Sequence, residues 1–168
     1  MNVESGQGRG TTFRVYVPST KKPESVPAPA PPGAEPKGTG ETVLVVEDEP
    51  ALLAIVTRSL TRLGYRIMQA VDGRRALAMW EQHADEIDLV LTDMRMPGGL
   101  TGFELAKRVR QDQPAMKIIL MSGYSPELEL NGPGSKLHIE YLAKPFELGT
   151  LADMVRRCLD SAPAARAE

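Results

Sequence analysis

The sequence predicts an α/β domain built on a doubly wound, parallel sheet of five strands, preceded by a proline-rich spacer and a short strand-like piece. Three observations carry this. From Glu41 onward, short runs of Val, Ile and Leu alternate with segments whose apolar residues recur at helical spacing, the pattern of a parallel sheet covered on both faces. One of these runs, Ile87–Thr92, is apolar for most of its length, as a strand buried on both sides must be. It leads directly into Asp93, and Pro97 closes the loop that follows. The carboxylate therefore stands at the carboxyl end of a strand, where open α/β sheets hold their ligands.

Composition sets the bounds. A chain of 168 residues accommodates one ordinary domain with appendages. The net charge of −2 points neither to nucleic acid nor to an anionic membrane surface. No apolar run approaches the ~20 residues of a membrane span, and the first ten residues lack the basic-then-apolar layout of a secretion signal. The single cysteine, Cys158, leaves no internal disulfide framework and reads as a small core residue of the last helix. Together these features lead us to expect a soluble, cytoplasmic protein without membrane contact.

In chain order, residues 1–17 contain Gly6, Gly8 and Gly10, then TTFRVYV with Phe13, Val15 and Val17 on one face, the alternation of a half-buried strand. The glycines precede the strand and open no helix, so phosphate-loop readings fail. The stretch ESGQGRGTTFRVYVP resembles the closing strands of the ATP-binding domain of sensor histidine kinases. That resemblance implies that residues 1–17 are the remnant of such a domain. The phosphoacceptor-histidine helix and the main ATP-binding boxes of that family have no counterpart here, so kinase activity from this chain is not expected. Residues 18–40 carry seven prolines and read as an extended, semi-rigid linker. The first 40 residues hold five basic and three acidic side chains, net +2, which leaves −4 for the remainder.

The domain proper is expected over 41–161, with a frayed tail at 162–168. Thr42–Val46 is its first strand, and Pro50 suits the first turn of the following helix. Leu52, Leu53, Ile55, Val56, Leu60 and Leu63 form that helix's apolar face, and Gly64 ends it. Tyr65–Ala70 is the second strand, and Asp72 caps a helix running to about His83. After Ile87–Thr92 come a helix over Leu100–Gln111 and a strand over Met116–Met121. Ser122–Lys136 has Pro126, Gly132, Pro133 and Gly134 and promises only a short or irregular helix. Ile139–Leu142 is the fifth strand, and Phe146–Asp160 the last helix. Right-handed crossovers then make a flavodoxin-like sheet, order 2-1-3-4-5, the natural arrangement.

On that sheet the polar residues converge. Glu47 and Asp48 follow strand one, Asp93 ends strand three, Ser122 strand four, and Lys144 strand five. Strands one and three are neighbours, so three carboxylates meet in one crevice. Like charges so close require a counter-charge. A hard divalent cation with positions left to water and phosphate is a Mg²⁺ arrangement. With an ammonium and a hydroxyl beside them, these are the parts needed for phosphoryl transfer, and a carboxylate serves as nucleophile in forming an aspartyl phosphate. Each residue has an ordinary explanation alone: acidic side chains favour helix N-termini, and a lysine is usually a solvated charge. Every one of them falling at the end of its own strand is a far less ordinary coincidence.

The segments VLVVEDEP, LVLTDMRMPGGLTGFELA, IILMSGY and YLAKPF occur in this order. Residues 42–160 thereby resemble the receiver domain of two-component response regulators, and with the amino-terminal piece the chain resembles the receiver of a hybrid sensor kinase. The resemblance implies that Asp93 is the phosphoacceptor, and that Asp48, Glu47 and the backbone carbonyl of Arg95 join it in holding Mg²⁺. It implies that Ser122 and Lys144 bind phosphoryl oxygens and that Tyr141 is the aromatic switch, turning toward the core once Ser122 is drawn inward. The donor would be a phosphohistidine on a kinase or phosphotransfer protein, and a homodimer is compatible with the resemblance. The resemblance also implies that Arg95 and Tyr124, each two residues beyond a site residue, stand where side chains can gate water. His83 and His138 fall in no kinase-type motif. Two other classes remain: a Mg²⁺-dependent phosphohydrolase with Asp93 as nucleophile, and an interaction module that works without phosphorylation. Against the first, Arg95 stands where such enzymes place a second carboxylate. Against the second, the site residues are intact.

Overall fold

The computed structural model describes residues 2–6, 8–14, 16, 37–97, 99–123 and 139–161. Residues 18–36 of the linker, residues 124–138 with Tyr124, His138 and most of the segment that promised an irregular helix, and the tail from 162 lie outside the described residues. The chain divides into two units, residues 1–33 and 34–168.

In the first unit, β1 (Asn2–Gly6) pairs antiparallel with β2 (Gly10–Arg14), joined through Gly8 and Gly10, whose φ angles of 80° and 77° suit only glycine well. Glu4 and Arg14 pair diagonally across the two strands at 2.6 Å. The expectation of a half-buried strand is not met. Every residue of both strands is exposed, and Phe13 shows 63% of its surface. Alternation marks a face able to be covered, but cover has to come from another element.

The second unit begins its sheet with β3 (Thr42–Val46), then runs α1 (Pro50–Arg62), β4 (Arg66–Ala70), α2 (Gly73–His83), β5 (Leu89–Asp93), α3 (Gly102–Asp112), β6 (Lys117–Ser122), β7 (Glu140–Ala143) and α4 (Leu148–Asp160). The five strands lie in the order β4-β3-β5-β6-β7, with every pairing parallel. This is the predicted doubly wound sheet and its predicted strand order.

Side chains leave a strand alternately to either face, so each central strand feeds two cores. Val43, Val45, Leu89, Leu91, Ile119 and Met121 meet Leu53, Val56 and Leu60 of α1 and Leu151 and Val155 of α4. Leu44, Val46, Val90, Ile118 and Leu120 meet Trp80 of α2 and Leu105 and Val109 of α3. Cys158 is buried in the first core, and burial pushes its thiol up to about 11.

Local chemistry ends the helices where the sequence indicated. Gly64, at φ 96°, follows α1; its N–H donates to the Thr61 carbonyl and that of Tyr65 to the Leu60 carbonyl, the paired bonds of a Schellman motif. The Asp72 carboxylate accepts from the Arg75 N–H at 2.8 Å and starts α2. Thr101 and Glu104 form a reciprocal capping box on α3. Ile55, expected on the apolar face of α1, is 50% exposed, and the apolar Leu148 of the last helix is 45% exposed. Ile55 falls outside the stripe set by Leu53, Val56 and Leu60, and Leu148 sits in the first turn of α4, ahead of the buried Leu151.

Candidate phosphoacceptor site

The strand ends hold the site together before any side chain is considered. The Met94 N–H donates to the Met121 carbonyl at 2.8 Å, fastening the end of β5 to β6. The Ser122 carbonyl accepts twice, from the Lys144 N–H at 2.7 Å and from the Tyr141 hydroxyl at 3.1 Å. The Glu47 N–H donates to the Ala70 carbonyl, continuing the ladder past β3.

On this frame Glu47 and Asp93 are buried and Asp48 is half-buried. Carboxylate oxygens of the three lie within 4.8 Å of one another. The Lys144 ammonium bridges two of them, 2.7 Å from Glu47 Oε2 and 2.9 Å from Asp93 Oδ1. The other Asp93 oxygen accepts from the Arg95 N–H at 3.2 Å. Burial pushes the Glu47 carboxyl upward, and the bond from Lys144 only partly offsets this. Burial works the other way on Lys144, but its bonds to Glu47 and Asp93 outweigh it and hold the ammonium above its usual range.

Beside Asp93 a cavity of about 520 Å³ is lined by Asp93, Arg95, Ser122 and Gly123. A carboxylate at its wall, a lysine behind and a serine across it suit a tetrahedral oxyanion approaching Asp93. The three converging carboxylates are hard oxygen donors of the kind Mg²⁺ takes. One ammonium cannot neutralise three such groups, so the residues present fit a divalent cation.

All the strand-end residues picked out in the sequence are thus brought together. Tyr141 joins this frame. Its ring already packs against the core that faces α2 and α3, and its hydroxyl already holds the Ser122 carbonyl. That carbonyl has two lone pairs, and the Lys144 N–H and the Tyr141 hydroxyl each take one.

Sequence reasoning overlooked Gly102. A Cβ there would come within 1.9 Å of the Asp93 carbonyl oxygen and 2.7 Å of Thr92 Oγ1. Its N–H donates to the Met94 carbonyl at 3.1 Å, so α3 starts directly against the loop carrying Asp93. The available signal was a glycine in the first turn of a helix, where better helix formers are the rule.

The family model for the response regulator receiver domain matches residues 43–156. The chain belongs to this family. The chain is 32% identical over 164 residues to the sensor kinase CckA of Brucella abortus (strain 2308), an alignment covering 94% of this chain and 17% of that protein. Among solved structures it is similar to the receiver domain of the hybrid histidine kinase CckA, with 33% identity and a TM-score of 0.61 over 71% of this chain and 99% of that one. It is also similar to the response regulator TrrA of Thermotoga maritima, solved in complex with Mg²⁺–BeF, with 32% identity and a TM-score of 0.61 over 70% and 98%. The fold and the two-component signalling role are therefore those of a receiver domain. No helix among the described residues is long and apolar enough to cross a membrane.

Proposed function

We propose that Asp93 is the phosphoacceptor of this receiver and that a phosphohistidine, on a kinase or phosphotransfer protein, is its donor. The observation that carries the reading is the Lys144 ammonium spanning Glu47 and Asp93, with Asp93 and Ser122 lining one cavity. An Asp93 oxygen attacks phosphorus in line, the P–N bond breaks, and the imidazole leaves with its electron pair. Ser122 donates its hydroxyl to one phosphoryl oxygen. Lys144 exchanges its bond to Asp93 for another phosphoryl oxygen while keeping Glu47. Glu47, Asp48, Asp93 and the Arg95 backbone carbonyl would hold Mg²⁺. Bound there, Mg²⁺ supplies positive charge to the oxygens of the transferring group. The Ser122 carbonyl links this event to Tyr141, so a shift of Ser122 alters the hold on the tyrosine ring and the surface around β7.

The alignment with the Brucella sensor kinase covers 94% of the chain, reaching beyond residues 43–156 into the amino-terminal piece. This supports reading residues 1–17 as the end of a kinase ATP-binding domain, 18–40 as a linker, and the receiver as part of a hybrid sensor kinase in the cytoplasm.

Intact-mass analysis after incubation with acetyl phosphate or phosphoramidate tests the assignment. The expected result is a Mg²⁺-dependent gain of one phosphoryl group that Asp93→Asn abolishes. A gain that survives in Asp93→Asn would remove Asp93 from the role. If wild type shows no adduct and also binds no beryllofluoride, the site does not function as a phosphoacceptor.

A further inference from the structure

The residues just before β3 do not behave as a free spacer. The Gly38 N–H donates to the Leu63 carbonyl at 2.7 Å. A Cβ at Gly38 would lie 2.7 Å from the ring of Tyr65, which is only 3% exposed, so the glycine backbone rests directly on that ring. Gly64 approaches from the other side: a Cβ there would be 3.0 Å from the Gly38 carbonyl oxygen. Thr39 turns the chain by donating its hydroxyl to Glu41 at 2.9 Å. Glu41 is in turn gripped by Arg156 of α4 at 2.7 Å, and its carbonyl accepts from the Arg66 N–H at 2.9 Å. Arg156 also donates to the Lys37 carbonyl at 3.5 Å and to Asp160 at 2.7 Å. Burial alone would raise the Glu41 carboxyl, yet these bonds bring it down to about 2.

We propose that Lys37–Glu41 is a clasp that fixes the end of the linker against the α1–β4 turn and the last turn of α4. The fixed backbone of the receiver then includes Lys37, and any domain joined through the linker is tethered at the amino ends of the strands, opposite the acidic pocket. Two consequences follow for a tethered partner. The linker ahead of the clasp is four residues shorter than the 18–40 stretch, and its point of origin is fixed, which sets the effective concentration of the attached domain. Its point of origin, Lys37, leads into the amino end of β3, whereas Asp93 stands at the carboxyl end of β5. None of this depends on the phosphoacceptor assignment, because Asp93, Lys144 and Ser122 take no part in the clasp.

Amide hydrogen exchange followed by NMR on the whole chain tests it. The amide of residue 38 should exchange at least ~10-fold more slowly than an unstructured glycine, as a protected native hydrogen bond does. Arg156→Ala and Gly38→Ala should each accelerate it by ~10-fold while β3 and β5 stay protected. Arg157→Ala, on an exposed neighbour outside the clasp, should leave it unchanged. An unprotected residue 38 in the wild type, or protection indifferent to Arg156→Ala, would overturn the proposal. Loss of protection throughout β3 and β5 in Arg156→Ala would overturn it too, since Arg156 would then serve the whole fold. A folded Glu41→Gln chain with an accelerated residue 38 supports it independently.

Discussion

Lys144 stands between two buried carboxylates and a third lies close by, so the site carries excess negative charge when no cation is bound. Removing one acid should relieve repulsion and remove a cation ligand together. Asp48→Asn should therefore be as stable as the wild type or more so, within ~1 kcal/mol, in the absence of divalent metal. Added Mg²⁺ should stabilise the wild type by ~2.7 kcal/mol at 100 times its Kd and should leave Asp48→Asn nearly unmoved. Denaturant unfolding with and without Mg²⁺ measures both effects, and a wild type indifferent to Mg²⁺ would contradict the cation site. At this scale the sequence was most informative where a polar residue ended an apolar run. Glu47, Asp93, Ser122 and Lys144 were all legible that way. The bond from Tyr141 to the Ser122 carbonyl was not, because a backbone acceptor leaves no mark on sequence.

Among the elements, α3 shows how local and long-range requirements meet. Its capping box, Thr101 with Glu104, is written in the sequence. Gly102, between them, answers to β5 instead, because the Asp93 carbonyl fills the space where a Cβ would go. Gly102→Ala should destabilise the domain by ~1–3 kcal/mol, the usual cost of overpacking. It should also slow adduct formation by pushing the loop that carries Asp93 away from Lys144. Thermal unfolding and the rate of adduct formation with phosphoramidate read these separately; an unchanged rate and melting temperature would show that the helix can shift freely. Ile55 and Leu148 mark the opposite limit of local reading. Both are apolar, yet a helix buries only the stripe its neighbours cover. The exposed β1–β2 pair makes the same point for strands, since alternation states which face can be buried and not whether anything buries it.

For the molecule as a whole, β3, β5 and β6 are the centre of the sheet, with β3 and β5 buried at every residue. The edge strands β4 and β7 are partly exposed. Amides of the three inner strands should exchange only through global unfolding, and those of β4 and β7 faster by at least ~10-fold. Hydrogen exchange resolved by residue measures this, and edge strands as slow as the centre would contradict it. The sequence by itself determined the α/β class, the strand order and the residues that meet at the strand ends, because apolar periodicity and right-handed crossovers leave few alternatives. Only the tertiary structure decided the Lys144 bridge from Glu47 to Asp93, the inward Tyr141, the space denied to a side chain at Gly102 and the docking of Lys37–Glu41 on α4. Each of these joins residues distant in the chain through a distance of a few ångströms, and periodicity specifies which face a residue takes, not which atom it reaches.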